Sequence, residues 1–215
     1  MGVSVSSVSP WLNLLRTALA RPLPGLPVQM GMAPVPRPGT ERILDPTLNC
    51  RRAGVLVLFY PRDGELCLVL TRRTDAVDTH RGQISFPGGS MDPGEDAASA
   101  ALREAWEELA VDTGQLEVLG ELSPLYIPPS GFCIYPVVAC AGERPSFVPN
   151  PGEVAEVLEV SLAHLLDLGT RGEEIWPMRG VDVCVPFYRV GHHKVWGATA
   201  MVLCELLALI QEANR

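Results

Sequence analysis

Apolar residues along the chain fall mostly into runs of strand length, broken by glycine, proline and acidic positions. Ala53–Tyr60 (AGVLVLFY) has the pattern of a buried strand, Asp63-Gly64 is a hairpin signal, and Leu66–Thr71 (LCLVLT) answers as a second strand. A short segment, Ile84–Phe86, ends at Gly88-Gly89. Further strands are predicted at Leu116–Leu122, Ile134–Ala139, Val154–Val160 and Val181–Val190. Helical spacing appears from about Glu95 to Ala110, near Leu162–Leu168, and from about Ala198 to Ala213. Strands mixed with interspersed helices predict an α/β protein, a sandwich around a mixed sheet, without internal repeats.

The first fifty residues read differently. Trp11, Leu12, Leu14, Leu15, Ala18 and Leu19 have the spacing of one short amphipathic helix. The run from Pro22 to Pro46 is rich in proline, which locks φ and removes a donor, so it is expected to be extended and irregular. The expected organisation is an N-terminal arm over 1–50 and one compact domain over 51–215.

Composition narrows the function. A length of 215 residues suits one domain with a sizeable core, and a net charge of −8 argues against a broad nucleic-acid surface. It leaves room for a small phosphorylated substrate bridged by cations. The six cysteines form no C-x-x-C pair and sit mostly in apolar runs, so they read as buried free thiols in a reducing compartment. No apolar run reaches about 18 residues, so no membrane-spanning helix is expected. The N-terminus lacks an early basic region, and Arg16 interrupts the Trp11–Ala20 stretch. It does not read as a signal peptide, and the expected location is cytoplasmic.

The helix over 95–110 carries the candidate chemistry. At about 100° per residue, Glu108 lies roughly 40° from Glu104 and Glu107 roughly 60° to the other side. Ala98, Leu102, Ala105 and Leu109 fall between about 100° and 160°, so the acids are expected on a side adjoining the packed one. Like charges at these spacings repel by a few tenths of a kcal/mol on an exposed helix, and by more where water is excluded. An ordinary solvated acidic face is one account of them. A site for Mg²⁺ or Mn²⁺, which take carboxylate oxygens and substrate phosphates, is the other.

The surrounding spacing favours the second account. Five residues separate Gly89 from Glu95, seven more lead to Arg103-Glu104, and Ala105, Glu107-Glu108 and Val111 complete the run. This resembles the Nudix box, with Ala110 standing where that family usually has glycine. The resemblance implies the Nudix fold, an α/β/α sandwich, and pyrophosphate hydrolysis dependent on Mg²⁺ or Mn²⁺. It implies that Glu104 and Glu108 are the principal metal ligands and that Glu107 binds a further cation or its water. Glu95 and Arg103 would orient loop and helix through a salt bridge, and Gly88 and Gly89 would let backbone approach metal and diphosphate.

Upstream, Val69-Leu70-Thr71-Arg72-Arg73-Thr74, Gly82 and Phe86-Pro87-Gly88-Gly89 resemble the signature of the coenzyme A pyrophosphatase branch. The departures are Val69, Thr74 and the charge-reversed Asp78, with Arg81 nearby. Pro149–Val154 and Val195–Ala200 are similar to the same branch. The branch implies cleavage of coenzyme A or its derivatives to 3′,5′-ADP and 4′-phosphopantetheine or its acylated form. Arg72, Arg73 and Arg81 suit phosphate oxygens. Glu104, Glu107 or Glu153 is expected to accept the proton of the attacking water, and Glu153 is alternatively a further metal ligand from across the cleft. The competing readings are another Nudix substrate, such as ADP-ribose or a dinucleotide, and a non-catalytic ligand sensor. The expected partner is a small nucleotide, with no nucleic acid and no membrane, and homodimerisation allowed. Trp196 reads as core packing, and His192-His193 as a solvated turn. His80 also invites a catalytic reading, without support from its neighbours.

Overall fold

The computed structural model describes residues 10–37, 50–74, 82–178 and 180–215. Strands β1 (Arg51–Arg62) and β2 (Glu65–Arg73) form the expected hairpin across Asp63-Gly64. β3 (Ile84–Ser85) and β4 (Gly88–Ser90) follow, then helix α3 (Ala97–Leu109), preceded in the chain by α1 (Pro10–Leu19) and α2 (Leu26–Gln29). β5 (Leu116–Glu121), β6 (Leu125–Ile127), β7 (Phe132–Ala141) and β8 (Val154–Ser161) complete an eight-stranded sheet. Its spine runs β3-β2-β1-β7-β5, with β4 on β1, β6 on β7 and β8 on β2. β1 and β7 are parallel while the other pairs are antiparallel, so the sheet is mixed.

Alternation along β2 separates two cores. Leu66, Leu68 and Leu70 face a layer containing α1 and α5 (Gly197–Ala213), whereas Cys67 and Val69 face α3. A second sheet, β9 (Arg171–Met178), β10 (Val181–Val190) and β11 (His193–Trp196), joins the α5 layer through Tyr188, Val190 and Val195. The short helix α4 (Leu162–Leu166) links the sheets. Periodicity marks only 181–190 of this second sheet. β9 reads RGEEIWPM and is largely exposed, so it offers no apolar alternation to find.

Two expectations about the arm and the cysteines are corrected. The proline-rich stretch is not uniformly extended: it holds α2, with Pro27 in the first turn, and a 3₁₀ turn at Met30–Met32. Proline is tolerated in a first turn because the missing N–H would have had no helical partner. Leu15, Ala18, Met32 and Ala33 are buried in the α5 core. The arm is clasped by Glu205 of α5, which is fully buried and accepts from the Gly25 and Ser123 amides and from Gln29 Nε2. Nor are all six cysteines free: Cys50 and Cys133 form a disulfide. The β1–β7 register, with Arg52 beside Cys133, brings these distant positions together. Cys67, Cys140, Cys184 and Cys204 are free thiols, so the inference of a reducing compartment loses its basis.

Candidate active site

α3 begins where the Asp96 side chain accepts from the Ser99 amide at 2.7 Å. It ends at Ala110, whose φ of 52° and ψ of 34° are left-handed. The buried positions include Ala97, Ala100, Ala101, Ala105, Glu108 and Leu109. On the helical wheel these centre near Glu108, so the packed face is rotated from the expected one by roughly a quarter turn. Small side chains explain the rotation: alanines let α3 close onto β1 and β4, and Leu102 is only half-buried. Glu108 therefore lies within the packed face, 3% exposed.

Backbone closeness continues at the glycines. Gly88 has a φ of 154° and pairs with Val55, while Gly89 pairs with Gly54. A Cβ on Gly89 would overlap the Glu104 carboxylate, so only glycine gives that carboxylate its present place. Arg103 ties the loop to the helix. Its Nε and Nη2 donate to the Glu95 carboxylate at 3.0 and 3.1 Å, and Nη2 also reaches the Ser90 carbonyl at 2.9 Å. Nη1 donates to Glu104 at 2.8 Å. Bonding to Arg103 holds the Glu95 carboxyl below the usual range.

The third carboxylate arrives from the β7–β8 connection. Val148 N donates to Leu109 O and Asn150 N to Glu108 O, both at 2.8 Å, so this loop is laid across the end of α3. Asn150 Oδ1 accepts from Gly152 N at 3.0 Å, and the Thr74 amide donates to Glu153 O at 3.0 Å. One carboxylate oxygen each from Glu104, Glu108 and Glu153 lies within 4.8 Å of the others. Burial raises Glu104, against the pull of Arg103. Burial pushes Glu108 up to about 8, with Glu104 and Glu153 adding and Arg73 and the Gly88 amide opposing.

A divalent cation fits these residues. Glu108 Oε2 is buried without a hydrogen-bond partner among the described residues, and buried polar atoms are rarely left so. Three converging carboxylates are the oxygen donor set of Mg²⁺ or Mn²⁺.

The other candidates divide. Arg73 is 3.9 Å from Glu108, on the α3 face. Glu107 is exposed, 3.4 Å from Arg103, and outside the three-oxygen group. Arg72 lies on the opposite face of the sheet, 3.4 Å from Glu156. Arg81, Asp78 and His80 lie outside the described residues. Trp196 stacks edge-on against Trp176. His193 is not a solvated turn residue: it opens β11 and its Nε2 is 3.0 Å from Glu156 Oε2. Strand pairing and β8 across the sheet bring it there, which no local pattern signals. Sequence reasoning also assigned no role to Asn150, although Asn-Pro-Gly is a turn signal.

Comparison with known proteins identifies the family of the domain that carries this arrangement. The family model described as NUDIX domain matches residues 51–177. NudL of Photorhabdus laumondii, named a Nudix hydrolase, is 36% identical over 177 residues, covering 81% of this chain and 91% of that protein. The mitochondrial coenzyme A diphosphatase NUDT8 of Mus musculus is 36% identical over 170 residues, covering 77% of this chain and 75% of that one. A MutT/nudix family protein from Enterococcus faecalis superposes with a TM-score of 0.52 at 17% identity, over 76% of this chain and 63% of its own, a likeness of fold.

Proposed function

The chain belongs to the Nudix hydrolase family, and from that premise we propose that it cleaves the pyrophosphate bond of coenzyme A or an acylated derivative. Nudix hydrolases act on small nucleotide derivatives and generally use divalent metal ions. The observation that carries the reading is the convergence of Glu104, Glu108 and Glu153, with one buried carboxylate oxygen lacking a partner among the described residues. Support for the substrate comes from the Val69–Gly89 signature and from the relationship to a coenzyme A diphosphatase.

Glu104, Glu108 and Glu153 would hold the cations, with Glu107 at the exposed edge. Bound there, they supply charge neutralisation for the diphosphate and lower the pKa of water. Arg73, 3.9 Å from Glu108, stands beside the cluster and suits a phosphate oxygen. Glu153 is the base we favour among Glu104, Glu107 and Glu153. It reaches the cluster from a separate loop, whereas Glu104 and Glu107 are both engaged by Arg103. The Glu95–Arg103–Ser90 contacts orient the glycine strand against the helix.

The test is incubation with coenzyme A and Mg²⁺, identifying products by mass, beside ADP-ribose and a dinucleotide. The expected products are 3′,5′-ADP and 4′-phosphopantetheine. Faster cleavage of either competitor would move the assignment to that substrate, and tight binding without products would make the domain a sensor. Glu108→Gln should lose turnover by about three orders of magnitude while still folding, because several kcal/mol of charge stabilisation go with the cation.

A further inference from the structure

A second group of metal-type donors assembles on the other face of the sheet. Glu156 stands on β8 opposite Arg72 of β2, in line with Leu158 and Val160 of the α5 core. The β10–β11 turn brings His192 and His193 over it. His193 is 13% exposed and its Nε2 lies 3.0 Å from Glu156 Oε2. The His192 and His193 ring centroids are 3.8 Å apart, and the planes are inclined by 40°. One donor atom from each of Glu156, His192 and His193 lies within 4.8 Å of the other two.

We propose that Glu156, His192 and His193 bind a borderline divalent cation of the zinc class, which clasps β8 to the β10–β11 hairpin. Two imidazole nitrogens and one carboxylate oxygen are donors preferred by Zn²⁺, with one tetrahedral position left for water. The same set is poor for Mg²⁺, which prefers oxygen, so the two faces of the sheet would sort cations by donor type. Arg72 opposes a cation here, its Nε lying 3.4 Å from Glu156 Oε2, the oxygen that His193 Nε2 also meets, so a bound ion would compete with that contact. The plainer account is a hydrogen-bonded chain from Arg72 through Glu156 to His193. That chain has no use for His192, whereas the metal site requires it.

His192 is exposed, so its replacement leaves the fold alone and separates the two accounts. Metal-stripped full-length protein in excess Mg²⁺, which fills the carboxylate cluster, would be titrated with Zn²⁺ and its zinc X-ray absorption recorded. One Zn²⁺ should bind per chain with imidazole scattering in its shell. His192→Ala and Glu156→Gln should each weaken it by at least about tenfold, the loss that follows removal of even an outer partner of a metal. Glu108→Gln should leave Zn²⁺ affinity and its imidazole signature unchanged. Zinc surrounded by oxygen alone, or unaltered affinity in His192→Ala, would overturn the proposal and leave the hydrogen-bonded chain.

Discussion

At the scale of single residues, Glu108 and Ala110 are the positions where local physics and the fold disagree. The Glu108 carboxyl is pushed up to about 8 by burial, from an ordinary value of about 4.3. A carboxyl raised in this way favours the fold while protonated. Its contribution is full below about pH 4.3 and is lost as pH rises through about 8. Metal-free protein should therefore lose stability over that window relative to Glu108→Gln, whose amide does not ionise. Melting curves in chelator across pH 5 to 9 measure the difference, and parallel curves for the two proteins would refute the burial argument. Saturating Mg²⁺ should restore the parent chain and leave the variant unmoved. Ala110 adopts left-handed backbone, at φ 52°, where a Cβ is costly. Ala110→Gly should raise stability by about 1 kcal/mol, read as a denaturant midpoint shift with unchanged slope.

At the scale of elements, α3 shows why counting apolar residues misplaces a face. The face drawn through Ala98, Leu102, Ala105 and Leu109 puts the acids beside the core, but packing takes in Ala97, Ala100 and Ala101 as well, and Glu108 goes under. The spacing of Gly89, Glu95, Arg103, Glu104 and Glu108 was legible, because the salt bridge and carboxylates need only one loop and one helix. Glu153 became part of the site through the loop pinned by Asn150 and Val148 to the end of α3. Asn150→Ala removes the bond from Gly152 and should lower kcat by about tenfold with little change in KM, since misplacement of a positioned group costs rate. Steady-state kinetics would decide, and an effect confined to KM would count against it. The docking of α2 rests on Glu205. Glu205→Ala strands the Gly25, Gln29 and Ser123 donors and should cost about 3 kcal/mol, measurable by denaturation.

At the scale of the whole molecule, the eight-stranded sheet divides the chemistry: carboxylates and Arg73 on the α3 side, Arg72, Glu156 and His193 on the α5 side. Adjacent arginines reach opposite faces because successive strand residues alternate, so their shared membership in one motif does not give them one role. The disulfide spans 83 residues and joins the entry to β1 with β7. Thiol titration of denatured, unreduced protein should count four thiols, and reduction should lower stability by about 2–4 kcal/mol. What the sequence determined by itself was whatever depends on near neighbours: the long buried strands, the three principal helices, and the glycine–glutamate–arginine spacing that names a reaction. These are set by backbone periodicity and by side chains within a few turns of one another. Tertiary structure alone decided which carboxylate is buried, how the loop carrying Glu153 is pinned to the helix end, that Cys50 meets Cys133, and that His193 meets Glu156. Each of those is a contact between distant segments, created by sheet register and layer packing, and no local pattern encodes the partner.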